Sequence, residues 1–125
     1  KEGVVRTVKS GGNPSETDFE VLAENTKEKV SLILCSPKTG RTHQIRVHLE
    51  ICSLPILGDK RYGQKKLRSL KDSLRTQALE HHLLHAAQLD FSLESGEKIN
   101  LKALAPNNFR RLCKSLGFES VFLKF

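Results

Sequence analysis

Two arginines and two histidines fall within eight residues of one another in Thr39-Gly40-Arg41-Thr42-His43-Gln44-Ile45-Arg46-Val47-His48, across a glycine and an expected helix start. Guanidinium groups fork toward carboxylates and phosphates, and a helix N-terminus offers unpaired N–H groups with a positive dipole end. The chemistry this favours is the handling of a polyanion. Arg41 reads as an exposed phosphate contact beside Gly40, which is expected to let the backbone turn tightly; a surface arginine on an ordinary loop is the plainer account. Arg46, between Ile45 and Val47, reads as partly buried and therefore in need of an acidic partner. Glu50, four residues on, is the local candidate for a structural pair. The functional alternative aims Arg46 at a catalytic carboxylate from another segment.

The remaining reactive side chains narrow the options. His43 and His48 are five apart, and His81, His82 and His85 have no cysteine or acid at a metal-binding spacing, so no metal site is expected. Packing, hydrogen-bonding or polyanion-facing roles fit these histidines better. No serine or cysteine sits in a nucleophile elbow or triad context, which argues against hydrolase chemistry. Cys35, Cys52 and Cys113 form neither a C-x-x-C pair nor an even-numbered framework, which fits reduced thiols in a reducing compartment.

These residues must be positioned by a small fold. The 125 residues suit one domain, and 21 Lys and Arg against 14 Asp and Glu give a net charge of +7 with a pI near 9.5. That balance favours acidic partners such as nucleic acid, or simply a soluble basic surface. No apolar run approaches the ~20 residues of a membrane-spanning helix, and the N-terminal residues lack a secretory apolar region. The first residue is Lys1 rather than Met, which suggests a piece of a longer chain.

Residues 1–9 read as a strand followed by a loop over Ser10-Gly11-Gly12-Asn13-Pro14-Ser15. Phe19–Leu22 and Val30–Cys35 read as an antiparallel pair around a polar connection at Glu24–Lys29. Ser36–Gly40 breaks the second strand, and Thr42 is expected to cap a helix running to about Cys52, with Ile45, Leu49 and Cys52 on its apolar face. Pro55 ends that helix, and Gly58-Asp59-Lys60-Arg61-Tyr62-Gly63 forms a turn. From Lys60 to Arg75 seven bases, Lys60, Arg61, Lys65, Lys66, Arg68, Lys71 and Arg75, face one acid, Asp72. With Leu67, Leu70 and Leu74 this stretch is either an amphipathic basic helix, a loop that orders on binding, or a solvated face. Leu83–Phe91 reads as a buried strand with its entry, and it pairs through Ser95-Gly96-Glu97 with Lys98–Leu104. Pro106-Asn107-Asn108 opens a helix whose apolar face is Phe109, Leu112, Cys113 and Leu116, closed by Gly117, and Glu119–Phe125 is an apolar tail. The fold class is α+β, a mixed, mainly antiparallel sheet with a few helices.

The run from Thr39 to Leu49, then Pro55-Ile56-Leu57-Gly58-Asp59-Lys60-Arg61-Tyr62-Gly63, then Leu84-His85-Ala86-Ala87-Gln88-Leu89-Asp90-Phe91, with the Ala105-Pro106 step, resembles the RluA family of RNA pseudouridine synthases in order and spacing. The resemblance implies isomerisation of selected uridines in RNA to pseudouridine on the pseudouridine synthase fold, with no cofactor and no metal. It implies that residues 1–125 are the C-terminal part of a synthase catalytic domain. Arg46 would stand where the family arginine pairs with the nucleophilic aspartate. Arg41 and His43, with Lys60, Arg61, Lys65, Lys66 and Arg68, would face RNA, while Gly40, Gly58, Asp59, Tyr62 and His85 would shape the motifs. Nothing here matches the family's H-R-L-D-x-x-T-S-G type segment that carries the nucleophile, or its active-site tyrosine, so the piece alone is expected to be inactive. The alternatives are a non-catalytic RNA-binding module derived from a synthase, and a piece that associates through an exposed sheet edge. Expected partners are ribosomal or transfer RNA and no membrane. The expected location is the cytoplasm, a bacterial one first, with an organelle second.

Overall fold

A computed structural model describes residues 2–7, 14–63 and 82–122. Three antiparallel strands come first: β1 (Glu2–Thr7), β2 (Ser15–Asn25) and β3 (Val30–Pro37), in the spatial order β1-β2-β3. The two expected strands of the antiparallel pair are longer than their apolar cores. Pairing continues outward through Thr17↔Pro37 and Asn25↔Val30, with one irregularity between Val21 and Ala23. The polar connection contracts to Thr26–Lys29. There the Asn25 side-chain oxygen accepts the Glu28 N–H at 2.9 Å, the local bonding that suits Asn to turns. Most of the expected loop at 10–15 lies outside the described residues, but Ser15 already belongs to β2.

Helix α1 (Gln44–Ile51) follows, and its start differs from the expected Thr42 cap. His43 occupies the cap position in the left-handed region, φ 53, with no side-chain cap bond. The tight reversal therefore falls on His43. Gly40 does not share the left-handed conformation, and a Cβ there would meet nothing within 4 Å, so its expected role in turning the chain is not what the fold uses. The buried residues of α1 are Gln44, His48 and Leu49 rather than a purely apolar stripe. Gln44 and His48 lie four apart on the face turned to β2, and Arg46 lies on the other side.

Beyond α1 the chain runs through buried Ile56 and Leu57 into the expected Gly58–Gly63 turn. Gly58 takes φ 78. Gly63 packs so closely that a Cβ would fall 2.5 Å from the Ile56 carbonyl oxygen. The basic stretch from Lys65 to Arg75 lies outside the described residues.

Strands β4 (Gln88–Ser92) and β5 (Lys98–Lys102) form the expected hairpin. The expectation of a buried strand fails: β4 is exposed along its whole length. One face of the hairpin is polar, with Gln88 and Asn100 both donating to Asp90. The other pairs Leu89 with Leu101 and Phe91 with Ile99. Among the described residues this apolar ladder has no covering layer, and Leu89 and Leu101 remain 58% and 52% exposed.

Helix α2 (Asn107–Ser115) starts after Pro106 as expected, and Gly117 follows its end at φ 82. Part of the expected apolar tail is a single helical turn, α3 (Glu119–Phe122). Val30, Leu57, Leu112, Cys113, Leu116 and Phe118 form the main core, with Ala23, Leu32, Leu83 and Phe109 packed against it. The core thus joins the β2–β3 pair, the segment before the Gly58 turn and α2. The architecture is α+β with antiparallel sheets and a few helices.

Candidate active site around Arg46

A buried polar clasp sets α1 against β2. Ser15 Oγ lies 3.0 Å from His48 Nε2, and Thr17 Oγ1 lies 2.7 Å from His48 Nδ1. Because β2 alternates its faces, Ser15 and Thr17 point the same way and hold the ring at both nitrogens. Gln44 Nε2 donates to Thr17 Oγ1 and to the Glu16 carbonyl, both at 2.9 Å. Gln44 Oε1 accepts the Thr39 hydroxyl at 2.6 Å and the Arg41 N–H at 3.1 Å. Burial holds His48 below the usual histidine pKa, so the neutral ring is the native form. The hydroxyls, amide and imidazole satisfy one another, which is what allows them to be buried.

With that face fixed, Arg46 projects toward the Gly58 turn. Its Nε donates to Asp59 Oδ2 at 2.8 Å and its Nη2 donates to Asp59 Oδ1 at 2.9 Å. This is the bidentate fork that guanidinium and carboxylate geometry favours. Asp59 also caps its own turn, since Oδ1 accepts the N–H groups of Arg61 at 3.0 Å and Tyr62 at 3.1 Å. The Asp59 side chain is wholly buried, whereas that of Arg46 is 16% exposed. The hydrogen bond from Arg46 holds the Asp59 carboxyl at a pKa of about 2, and the same bond raises that of Arg46.

The Tyr62 ring completes the grip. The Arg46 guanidinium carbon lies 5.2 Å from the ring centroid and that of Arg61 lies 5.4 Å from it, within cation–π range. His43 meets the same ring edge-on at 6.4 Å. Arg46 thus has one edge on Asp59 and stacks on an aromatic ring. Among the described residues its hydrogen bonds all go to Asp59, which leaves Nη1 and the second N–H of Nη2 uncommitted.

The structure therefore gathers His43, Arg46, Asp59, Arg61 and Tyr62 from the positions singled out in the sequence. Glu50, the local partner considered for Arg46, is exposed, and the pair forms with Asp59 instead. Arg41 is exposed near the start of β2, with Nε 3.3 Å from the Pro14 carbonyl. Lys60 is exposed on the turn. His85 stands apart: its Nε2 lies 2.9 Å from the Ala103 carbonyl oxygen, and its ring is 6.4 Å from Phe109. Lys65, Lys66 and Arg68 lie outside the described residues. Cys35 and Cys113 have pKa values pushed up to about 11 by burial, so they remain unreactive thiols at neutral pH. Cys35, Cys52 and Cys113 are all free. Among the described residues no group of His, Cys, Asp or Glu could hold a metal ion, and no helix is long and apolar enough to cross a membrane.

Sequence reasoning missed the pairing of Arg46 with Asp59 and the clasp of Ser15, Thr17, Thr39, Gln44 and His48. The first left a faint signal, an acid following a glycine amid bases. The second left another, the polar pair Gln44 and His48 at helical spacing facing two hydroxyl residues at strand spacing.

Residues 1–51 match the family model described as RNA pseudouridylate synthase. Ribosomal large subunit pseudouridine synthase C of Salmonella typhimurium is 40% identical over 119 residues, which cover 92% of this chain and 35% of that protein. The chain is similar to the RluA family of RNA pseudouridine synthases. The protein of the same name from Escherichia coli strain K12 gives the same identity and coverage. That from Vibrio parahaemolyticus is 41% identical over 91 residues, 73% of this chain and 27% of its own length. The chain spans about a third of the length of the curated relatives it matches. Within the family model's match lie Arg41, His43, Arg46 and the whole polar clasp, while Asp59 and Tyr62 lie beyond residue 51.

Proposed function

We propose that the protein containing this chain isomerises uridine in RNA to pseudouridine, and that these residues are the C-terminal part of its catalytic domain. The observation that carries the reading is the presentation of Arg46: anchored through Nε and Nη2 and set over the Tyr62 ring, with Nη1 and the second N–H of Nη2 unbonded among the described residues. Those donors can take a second carboxylate side by side. In the family that acid is the nucleophilic aspartate, which another part of the protein would supply; this piece by itself would then be inactive. Arg41, His43, Lys60 and Arg61 would contact the phosphates and bases around it, and Lys65, Lys66 and Arg68 would add positive charge for the same partner. Their attraction offsets the few kcal/mol needed to unstack the target uridine. The names of the relatives favour ribosomal RNA of the large subunit over transfer RNA as substrate, and a cytoplasmic site of action suits that substrate.

The reaction breaks the ribose–nitrogen bond, turns the uracil, joins ribose to carbon 5 and releases the hydrogen that carbon carried. It is redox-neutral, so no cofactor is expected. The test is release of tritium from carbon-5-labelled uridine in large-subunit ribosomal RNA incubated with the full-length protein. Release is expected from the wild type and not from Arg46→Ala, whose RNA affinity should change little. Salt-dependent RNA binding without release by the wild type would establish the non-catalytic module instead.

A further inference from the structure

We infer that Asp59 is a positioning residue for the reaction, holding the Arg46 fork so that its open end faces the reacting carboxylate; the inference rests on the function proposed above. An arginine side chain has four rotatable bonds, and a fork held only at its outer end would sweep through many orientations. Here the restraint acts at the inner edge. Asp59 accepts both Nε and Nη2, the Tyr62 ring lies against the guanidinium, and the turn N–H groups of Arg61 and Tyr62 fix the carboxylate in its place. Asp59 has no exposed surface with which to meet RNA. Its oxygens are already committed to four donors, so it is poorly placed to attack a ribose. Its effect on the reaction therefore passes through Arg46.

Replacement Asp59→Asn separates the two duties of this side chain. The amide oxygen can still accept the backbone N–H groups of Arg61 and Tyr62 and the Nη2 of Arg46, which all meet Oδ1 in the native turn, whereas the amide nitrogen stands in place of Oδ2 opposite the Nε donor and removes that half of the fork. In the full-length protein kcat for pseudouridine formation is expected to fall by about 100-fold, the loss that small misplacements of a reacting group produce, while KM for the same RNA changes little. In an Arg46→Lys background, where the fork is already gone, Asp59→Asn should bring little further loss. Unchanged kcat in Asp59→Asn, or losses that multiply across the two positions, would overturn the inference. A second measurement needs no Asp59 variant: in arginine-labelled wild type, the Arg46 Nε–H resonance, assigned by its disappearance in Arg46→Lys, should exchange slowly with water. Fast exchange would equally overturn the proposal. A wild type that makes no pseudouridine defeats the proposed function itself, whereas an active wild type with an indifferent Asp59→Asn defeats only the positioning role.

Discussion

At Gly63 a methyl group would sit 2.5 Å from the Ile56 carbonyl oxygen and 3.0 Å from that of Asp59. Backbone atoms cannot yield as a side-chain end can, so Gly63→Ala should destabilise the protein by roughly 1–3 kcal/mol, the usual cost of overpacking; chemical denaturation would measure it. Asp59 gives a different signature. Its folded pKa, about 2, lies below the ordinary 3.8, so its contribution to stability is complete above about pH 4 and lost as pH falls toward 2. Comparing acid denaturation of wild type and Asp59→Asn should show the difference between them narrowing over that window. A constant difference would mean that the carboxylate charge does not matter there.

At the scale of elements, α1 is oriented by polar groups rather than by an apolar stripe. His48 is 1% exposed and lies between Ser15 and Thr17. Its pKa is lowered by burial, so the unfolded chain takes up a proton more readily than the folded one, and stability should decline as pH falls below about 6.5. His48→Leu should abolish that part of the slope and lower stability at every pH, because Ser15 and Thr17 each lose one buried hydrogen bond, at about 1 kcal/mol each. Thermal melts between pH 5 and 8 would check both effects. The helix itself was legible from Ile45 and Leu49, but the clasp was not. Recognising it required knowing that β2 lies against Gln44 and His48, and the spacing of polar residues within each segment does not say that two segments some thirty residues apart meet.

For the whole molecule, charge and exposed apolar surface make separate predictions. On the proposed function, the net charge of +7 and the exposed Arg41, Lys60 and Arg61 predict RNA affinity that weakens with salt. Arg41→Ala should weaken binding across RNA sequences and reduce the slope of log affinity against log salt by about 1. A slope unaltered by that change would remove Arg41 from the interface. The apolar ladder of Leu89, Phe91, Ile99 and Leu101 needs cover, and we propose that residues 1–125 produced alone self-associate through this hairpin. Sedimentation should show concentration-dependent association that Leu101→Lys weakens; a monomer at all concentrations would contradict it. The sequence revealed the hairpin through Ser95-Gly96-Glu97 and its alternation. It could not reveal whether the apolar side is covered, because alternation records a two-faced strand and not what lies against either face.

By itself the sequence determined the local matters: which of the described segments become strands and helices, and which family the linked motifs resemble. Those follow from short-range periodicity, turn chemistry and residue type. Only the tertiary structure decided that Arg46 closes on Asp59 thirteen residues away instead of on Glu50 one helical turn away. A guanidinium at that position has two acids within reach along the chain. Burial against the Gly58 turn, with two backbone N–H groups already holding one carboxylate in place, is what selects between them.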